Sequence, residues 1–237
     1  MVPRVAAVFL AILLFATWTV GGAPASATPI VITGTGFESQ SVGTINSIHD
    51  PYDGQFDYSA CQLPITCTSG TYAVADSSGA GDPVPASGAH DYRMSGLPGS
   101  VAQTLNFAEV AVGSFTDVTV SLDLYMSSTD WEADDYFLAR LFIVEPGVGV
   151  VTHQLFQSSG DPDTDPNLSE GSWRTYTWNV PAVATTAILE LEEHSDAPDQ
   201  AERWYIDNVS FRAVPEPTTG LLLALGLAGL GMRRRVH

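Results

Sequence analysis

The chain has 237 residues, with 27 acidic against 9 basic and a formal charge of −18. All nine basic residues are arginines, and four of them, Arg4, Arg233, Arg234 and Arg235, sit at the two ends. Between the ends, residues 28–213 carry 5 arginines against 26 acids. That balance excludes nucleic acid and anionic lipid surfaces as partners and favours Ca²⁺ or basic ones, while also serving plain solubility. The segment is long enough for one domain with a sizeable core.

In chain order, Arg4 precedes an apolar run, Val5 to Val20, and then Ala25-Ser26-Ala27. A charged start, an apolar stretch and an Ala-x-Ala site together read as a secretory signal peptide, residues 1–27, removed by signal peptidase after Ala27. Export makes Cys61 and Cys67, with five residues between them, an expected disulfide. So short a loop gains only about 2 kcal/mol in the chain-entropy account.

Residues 28–213 form the expected ectodomain, and strand signals dominate it. Val118, Val120, Leu122, Leu124 and Met126 alternate with Thr119, Ser121, Asp123 and Tyr125, as in a half-buried antiparallel strand. Residues 136–144 are apolar on nearly both faces. Tyr176, Trp178 and Val180 share a face; Ala187, Leu189 and Leu191 share another, opposite Glu190 and Glu192. Tyr205, Asp207, Val209 and Phe211 are expected on one inward face, an acid among apolar residues. Gly, Pro, Asp and Ser clusters separate these runs. The fold class is therefore all-β, a sandwich or jelly roll, flanked by a signal helix and a short C-terminal membrane helix.

Residues 214–237 form the tail. Pro215-Glu216-Pro217 precedes an apolar stretch, residues 220–232, and then Arg233-Arg234-Arg235. As a helix that stretch spans about 20 Å, short of a hydrocarbon core of about 30 Å. The arginines should stay cytoplasmic, leaving the bulk of the chain outside. These residues resemble the PEP-CTERM sorting domain. The resemblance implies recognition by an exosortase in the inner membrane of a Gram-negative bacterium and removal of the tail. It also implies delivery to the envelope surface or extracellular matrix, in a setting of exopolysaccharide production.

The ectodomain opens with Gly34-Thr35-Gly36-Phe37-Glu38 and closes with Trp204-Tyr205-Ile206-Asp207-Asn208-Val209. Trp131-Glu132, Asp135, Trp173 and Tyr176 lie between. This pattern resembles the jelly-roll, galactose-binding-like superfamily of carbohydrate-binding modules and MAM-like surface domains. The resemblance implies a structural Ca²⁺ held by Glu38 and Asp207 with backbone carbonyls. The other reading of Asp207 is that it caps a turn or pairs with Arg203 or Arg212. For glycan contact the candidates are Trp131, Glu132, Asp135 and Trp173, with Tyr125 and Trp204 as further aromatics. Each of these aromatics also fits a core position, because sandwiches bury their tryptophans.

Enzymatic motifs are not found: there is no Gly-x-Ser-x-Gly, no His-Glu-x-x-His and no phosphate loop. His90-Asp91 is the one adjacent pair suited to proton transfer, and a surface loop explains it equally. Asp161, Asp163 and Asp165 alternate as in a calcium loop, but Pro166 and Ser172 stand where an EF-hand needs Gly and Glu. The sequence thus reads as a non-enzymatic exported protein with a sandwich that binds exopolysaccharide. The alternatives are a glycan-active hydrolase, which needs two carboxylates about 5–10 Å apart in a cleft, and a purely structural, Ca²⁺-dependent adhesion protein.

Overall fold

Period-two alternation places the side chains of a strand on opposite faces, and this chain builds its core from that rule. The computed structural model describes residues 28–38, 58–60, 72–78, 82–95, 102–127, 131–158, 165–168, 170–194 and 202–214. The signal peptide, Cys61 and Cys67, Asp161 and Asp163, and the tail from Pro215 onward lie outside the described residues.

Among the described residues, twelve strands follow one another: β1 (Ile30–Thr35), β2 (Tyr58–Ala60), β3 (Tyr72–Ala75), β4 (Asp91–Ser95), β5 (Gln103–Phe107), β6 (Val110–Ala111), β7 (Thr116–Met126), β8 (Tyr136–Glu145), β9 (Gly149–Gln157), β10 (Arg174–Asn179), β11 (Thr186–His194) and β12 (Arg203–Val214). The described residues contain no helix. One sheet has the order β10-β7-β12-β4-β3, with β1 also beside β12; the other has β2-β5-β11-β8-β9, with β6 beside β11. Every strand pairing is antiparallel. The all-β sandwich expected from the sequence is the fold observed.

The inward faces meet in a single core. Val118, Val120, Leu122, Leu124 and Met126 of β7 line it from one sheet; Phe137, Ala139, Leu141 and Ile143 of β8 with Ala187, Leu189 and Leu191 of β11 line it from the other. Tyr176 and Trp178 pack against its edge. Burying each large aliphatic or aromatic side chain contributes about 1.5–3 kcal/mol. On the far face of the second sheet, Arg140 bonds Glu190 at 2.9 Å and also reaches Glu192.

The closing strand β12 organises the first sheet. One flank pairs with β7 along most of its length. The other flank is shared: Arg203–Ile206 pair with β4, and Val209–Ala213 pair with β1. Between Asp207↔Asp123 and Ser210↔Ser121, two residues, Asn208 and Val209, oppose one, Leu122, and Asn208 sits at φ 50°. This bulge reverses the face on which later side chains fall. Trp204 and Ile206 join the core before it; Val209, Phe211 and Ala213 join the core after it. The expectation of one inward face for Tyr205, Asp207, Val209 and Phe211 is corrected accordingly. Tyr205 and Asp207 lie on the opposite, outer face with Asp123, and they are buried there because residues 82–90 lie across them.

Candidate functional site

The outer face of the first sheet carries three carboxylates in a row. Asp123 on β7 pairs in register with Asp207 on β12. The next strand places Tyr92 opposite Ile206, which brings Asp91 alongside Asp207. Glu38 arrives from the end of β1. Phe37, at φ 60°, is buried against Tyr92 with ring centroids 5.3 Å apart, and its N–H donates to Thr35 Oγ1 at 3.0 Å. That turn delivers Glu38 to the 82–90 segment.

Backbone amides of this segment meet two of the acids. Ala89 N–H donates to both Glu38 oxygens (3.0 and 2.9 Å), and His90 N–H to Oε1 at 3.2 Å. Ser87 N–H donates to Asp207 Oδ2 at 2.9 Å, and Asn208 N–H to Oδ1 at 2.6 Å. Gly88 lies between, at φ +64°, where a Cβ would stand 2.1 Å from Glu38 Oε1. Asp91 differs: it is fully buried, and neither oxygen has a hydrogen-bond partner. Burial, and next the Asp207 charge, push its carboxyl up to about 8. Burial pushes Asp207 to about 6, against the lowering effect of the Ser87 and Asn208 amides.

Glu38 and Asp207 are therefore brought to one segment as the sequence expected, and the structure adds Asp91. Arginine does not neutralise Asp207. Arg203 pairs with Asp82 at 3.0 Å, and Tyr205 donates to the same oxygen at 2.7 Å. Arg212 is exposed.

The glycan candidates separate. Trp131 is buried on Trp204, centroids 4.9 Å apart, and donates to Ser127 O at 3.1 Å. Asp135 is fully buried too, and its Oδ2 accepts from Glu132 N–H at 2.7 Å. Neither is presented to a polysaccharide, because the Trp131–Asp135 turn folds its aromatic and its last acid into the sandwich end. Trp204 is a core residue. Glu132 is exposed. Trp173 is half-buried on the outer face, where its ring lies 5.5 Å from that of Tyr125 and its Nε1 donates to Val84 O at 2.7 Å.

A groove of about 740 Å³ runs over the outer face of β1, β7, β10 and β12. Thr119, Ser121, Thr175, Thr177 and Ser210 line it with hydroxyls, and Asp123, Asn208 and Arg212 add an acid, an amide and a guanidinium. Asp123 accepts from Asn208 Nδ2 at 2.7 Å and from Thr175 Oγ1. The cross-strand pairs Ser121↔Thr177 and Asp123↔Thr175 lead along the sheet to the Tyr125–Trp173 aromatic pair. The alternation along residues 116–126 places this polar face, but only the pairing of β7 with β10 and β12 assembles it.

Sequence reading also passed over a second acid cluster. Donor atoms of Glu132, Asp135 and Glu202 all lie within 4.8 Å of one another, a spacing that Glu38, Asp91 and Asp207 do not meet. Glu193 lies beside them. It is fully buried, with no hydrogen-bond partner on either oxygen, and burial, then Asp135 and Glu202, hold its carboxyl well above the usual carboxylate range. A signal was available: the inward run Ala187, Leu189, Leu191 continues at period two to Glu193.

Among curated proteins, none matches this sequence. Among solved structures, the chain is similar to the C-terminal family 22 carbohydrate-binding module of Clostridium thermocellum Xyn10B (TM-score 0.42, 12% identity, covering 82% of this chain and 98% of that one). It is similar also to the K3 cleaved adhesin domain of Lys-gingipain from Porphyromonas gingivalis (TM-score 0.46, 10% identity, 78% and 99% covered). A third is the xylan-binding domain of Paenibacillus barcinonensis Xyn10C (TM-score 0.40, 9% identity, 78% and 98% covered). Residues 213–235 match the PEP-CTERM protein-sorting motif, so the chain ends in a sorting signal for export that contains Pro215-Glu216-Pro217 and the arginine cluster.

Proposed function

We propose that this chain is an exported envelope-surface protein whose sandwich binds polysaccharide without cleaving it. The observation that carries the reading is the hydroxyl-lined groove, beyond which the same sheet face carries the Tyr125–Trp173 pair. Sugar hydroxyls pair with Thr, Ser, Asp and Asn side chains, and a sugar's C–H face stacks on an aromatic ring. Among the described residues, Asp123 is the one carboxylate lining the groove. Glycoside hydrolysis uses two, so the lining favours binding over cleavage. The sorting motif supports exosortase as the processing partner and the envelope surface or matrix as the destination.

Affinity electrophoresis of the full-length chain through gels containing neutral polysaccharides tests this reading. Retardation is expected for the wild type. Ser121→Trp should abolish it by filling the groove, and Trp173→Ala should weaken binding about ten-fold, near 1.4 kcal/mol. A wild type that no polysaccharide retards, or a Ser121→Trp variant retarded equally, contradicts the proposal.

We further propose that Ca²⁺ occupies the junction of β1, β4 and β12, with Asp91 and Asp207 as ligands and Glu38 beside them. The supporting observation is the fully buried Asp91 carboxylate, whose two oxygens have no hydrogen-bond partner. Hard oxygen donors of this kind suit calcium. The ion would fasten the first strand to the last.

A further inference from the structure

One end of the sandwich carries acids from three places. Glu132 and Asp135 belong to the turn that enters β8. Glu193 is the penultimate residue of β11, on its core face. Glu202 stands immediately before β12. The turn and β11 belong to one sheet and β12 to the other. We propose that Glu132, Asp135, Glu193 and Glu202 form a second divalent-cation site, suited to Ca²⁺, that fastens the two sheets at this end.

The spacing fits. Oxygens bound to one Ca²⁺ at 2.3–2.6 Å stand at most about 5 Å apart, and the donor atoms of Glu132, Asp135 and Glu202 meet that limit at 4.8 Å. The second observation is the state of the buried groups. Both Glu193 oxygens and Asp135 Oδ1 are buried without a hydrogen-bond partner. A buried carboxylate so placed is costly unless a cation or a proton neutralises it. Gln103 is the cross-strand partner of Glu193 on β5, and its Oε1 is another buried acceptor without a donor. An all-oxygen donor set with no sulfur or imidazole selects a hard cation over zinc or copper. Glu132 is exposed and gives the ion a path to solvent. This site shares no residue with the Asp91–Asp207 junction.

Terbium is the probe, because Trp131 adjoins Glu132 and packs against Trp204 at a tilt, so indole excitation should sensitise a bound Tb³⁺. The full-length chain in mild detergent, stripped with chelator, should show Tb³⁺ emission that Ca²⁺ competes away. Glu193→Gln and Glu202→Gln should each weaken Ca²⁺ competition ten-fold or more. Glu132→Gln, at an exposed position that holds no part of the core, should weaken it as well and keeps the test independent of folding. Asp91→Asn, at the other junction, should leave this emission and its Ca²⁺ competition intact. The proposal is overturned if the wild type gives no Ca²⁺-competed emission. It is equally overturned if Glu132→Gln and Glu193→Gln behave as wild type, or if Asp91→Asn alone removes the signal.

Discussion

Each of the two acid clusters of this sandwich joins buried carboxylates to an exposed one, yet the two are held differently. At the β1–β12 junction, Glu38 and Asp207 accept backbone N–H groups from Ser87, Ala89, His90 and Asn208. At the Trp131–Asp135 end, Glu193 accepts none, and Asp135 uses one oxygen only. The first cluster anchors a segment of chain, so its acids carry structural weight even without a metal. In the second, the buried Glu193 depends on a cation or a proton to neutralise it. Amides neutralise in place; a cation can be removed.

The largest expected effect on this comparison is through pH. Asp91, at about 8, is raised above its ordinary 3.8 first by burial. A carboxyl raised on folding keeps its proton in the folded chain while the unfolded chain loses it. In chelator, Asp91's contribution to stability should therefore be fully present below pH 4 and be lost as pH rises from about 4 to about 8. Asp91→Asn should flatten that decline by several kcal/mol across the range. Melting curves from pH 4 to 8 measure it, and an equally steep variant would remove Asp91 from the account.

Breaking the amide anchors should come next. Asp207→Ala leaves the Ser87 and Asn208 N–H groups without their acceptor and should cost about 2–3 kcal/mol in denaturant unfolding. Gly88→Ala, at φ +64° with a Cβ 2.1 Å from Glu38 Oε1, should cost about 2 kcal/mol and displace Glu38. If both variants unfold like the wild type, residues 82–90 do not depend on this junction.

The smallest effect should appear at the other cluster. Glu193→Gln removes a buried acid that bonds nothing, so in chelator at neutral pH its stability should be no lower than the wild type's. A loss above about 1 kcal/mol would mean that Glu193 makes a structural hydrogen bond.

Much of the fold is legible in alternation. Residues 118–126 and 187–191 announce their inward faces, and the core uses them as read. Asp207 escaped because one extra residue at Asn208 reverses the parity of β12, and no local pattern marks a bulge there. Trp131 and Trp173 look alike in sequence; only tertiary packing decides that one packs against Trp204 and the other lies outside on Tyr125. Glu193 was readable as the next inward position after Leu191. What remained hidden was its company, since Glu132, Asp135 and Glu202 reach it from a turn and from the other sheet. The groove likewise needs the register of β10 on β7, which composition does not encode.

The most direct measurement is an anomalous-scattering map of the crystalline protein grown with Ca²⁺ and exchanged with Tb³⁺. The account predicts a strong peak among the carboxylates of Glu132, Asp135, Glu193 and Glu202. A map with no peak there, and with Glu193 hydrogen-bonded to protein groups instead, would contradict it.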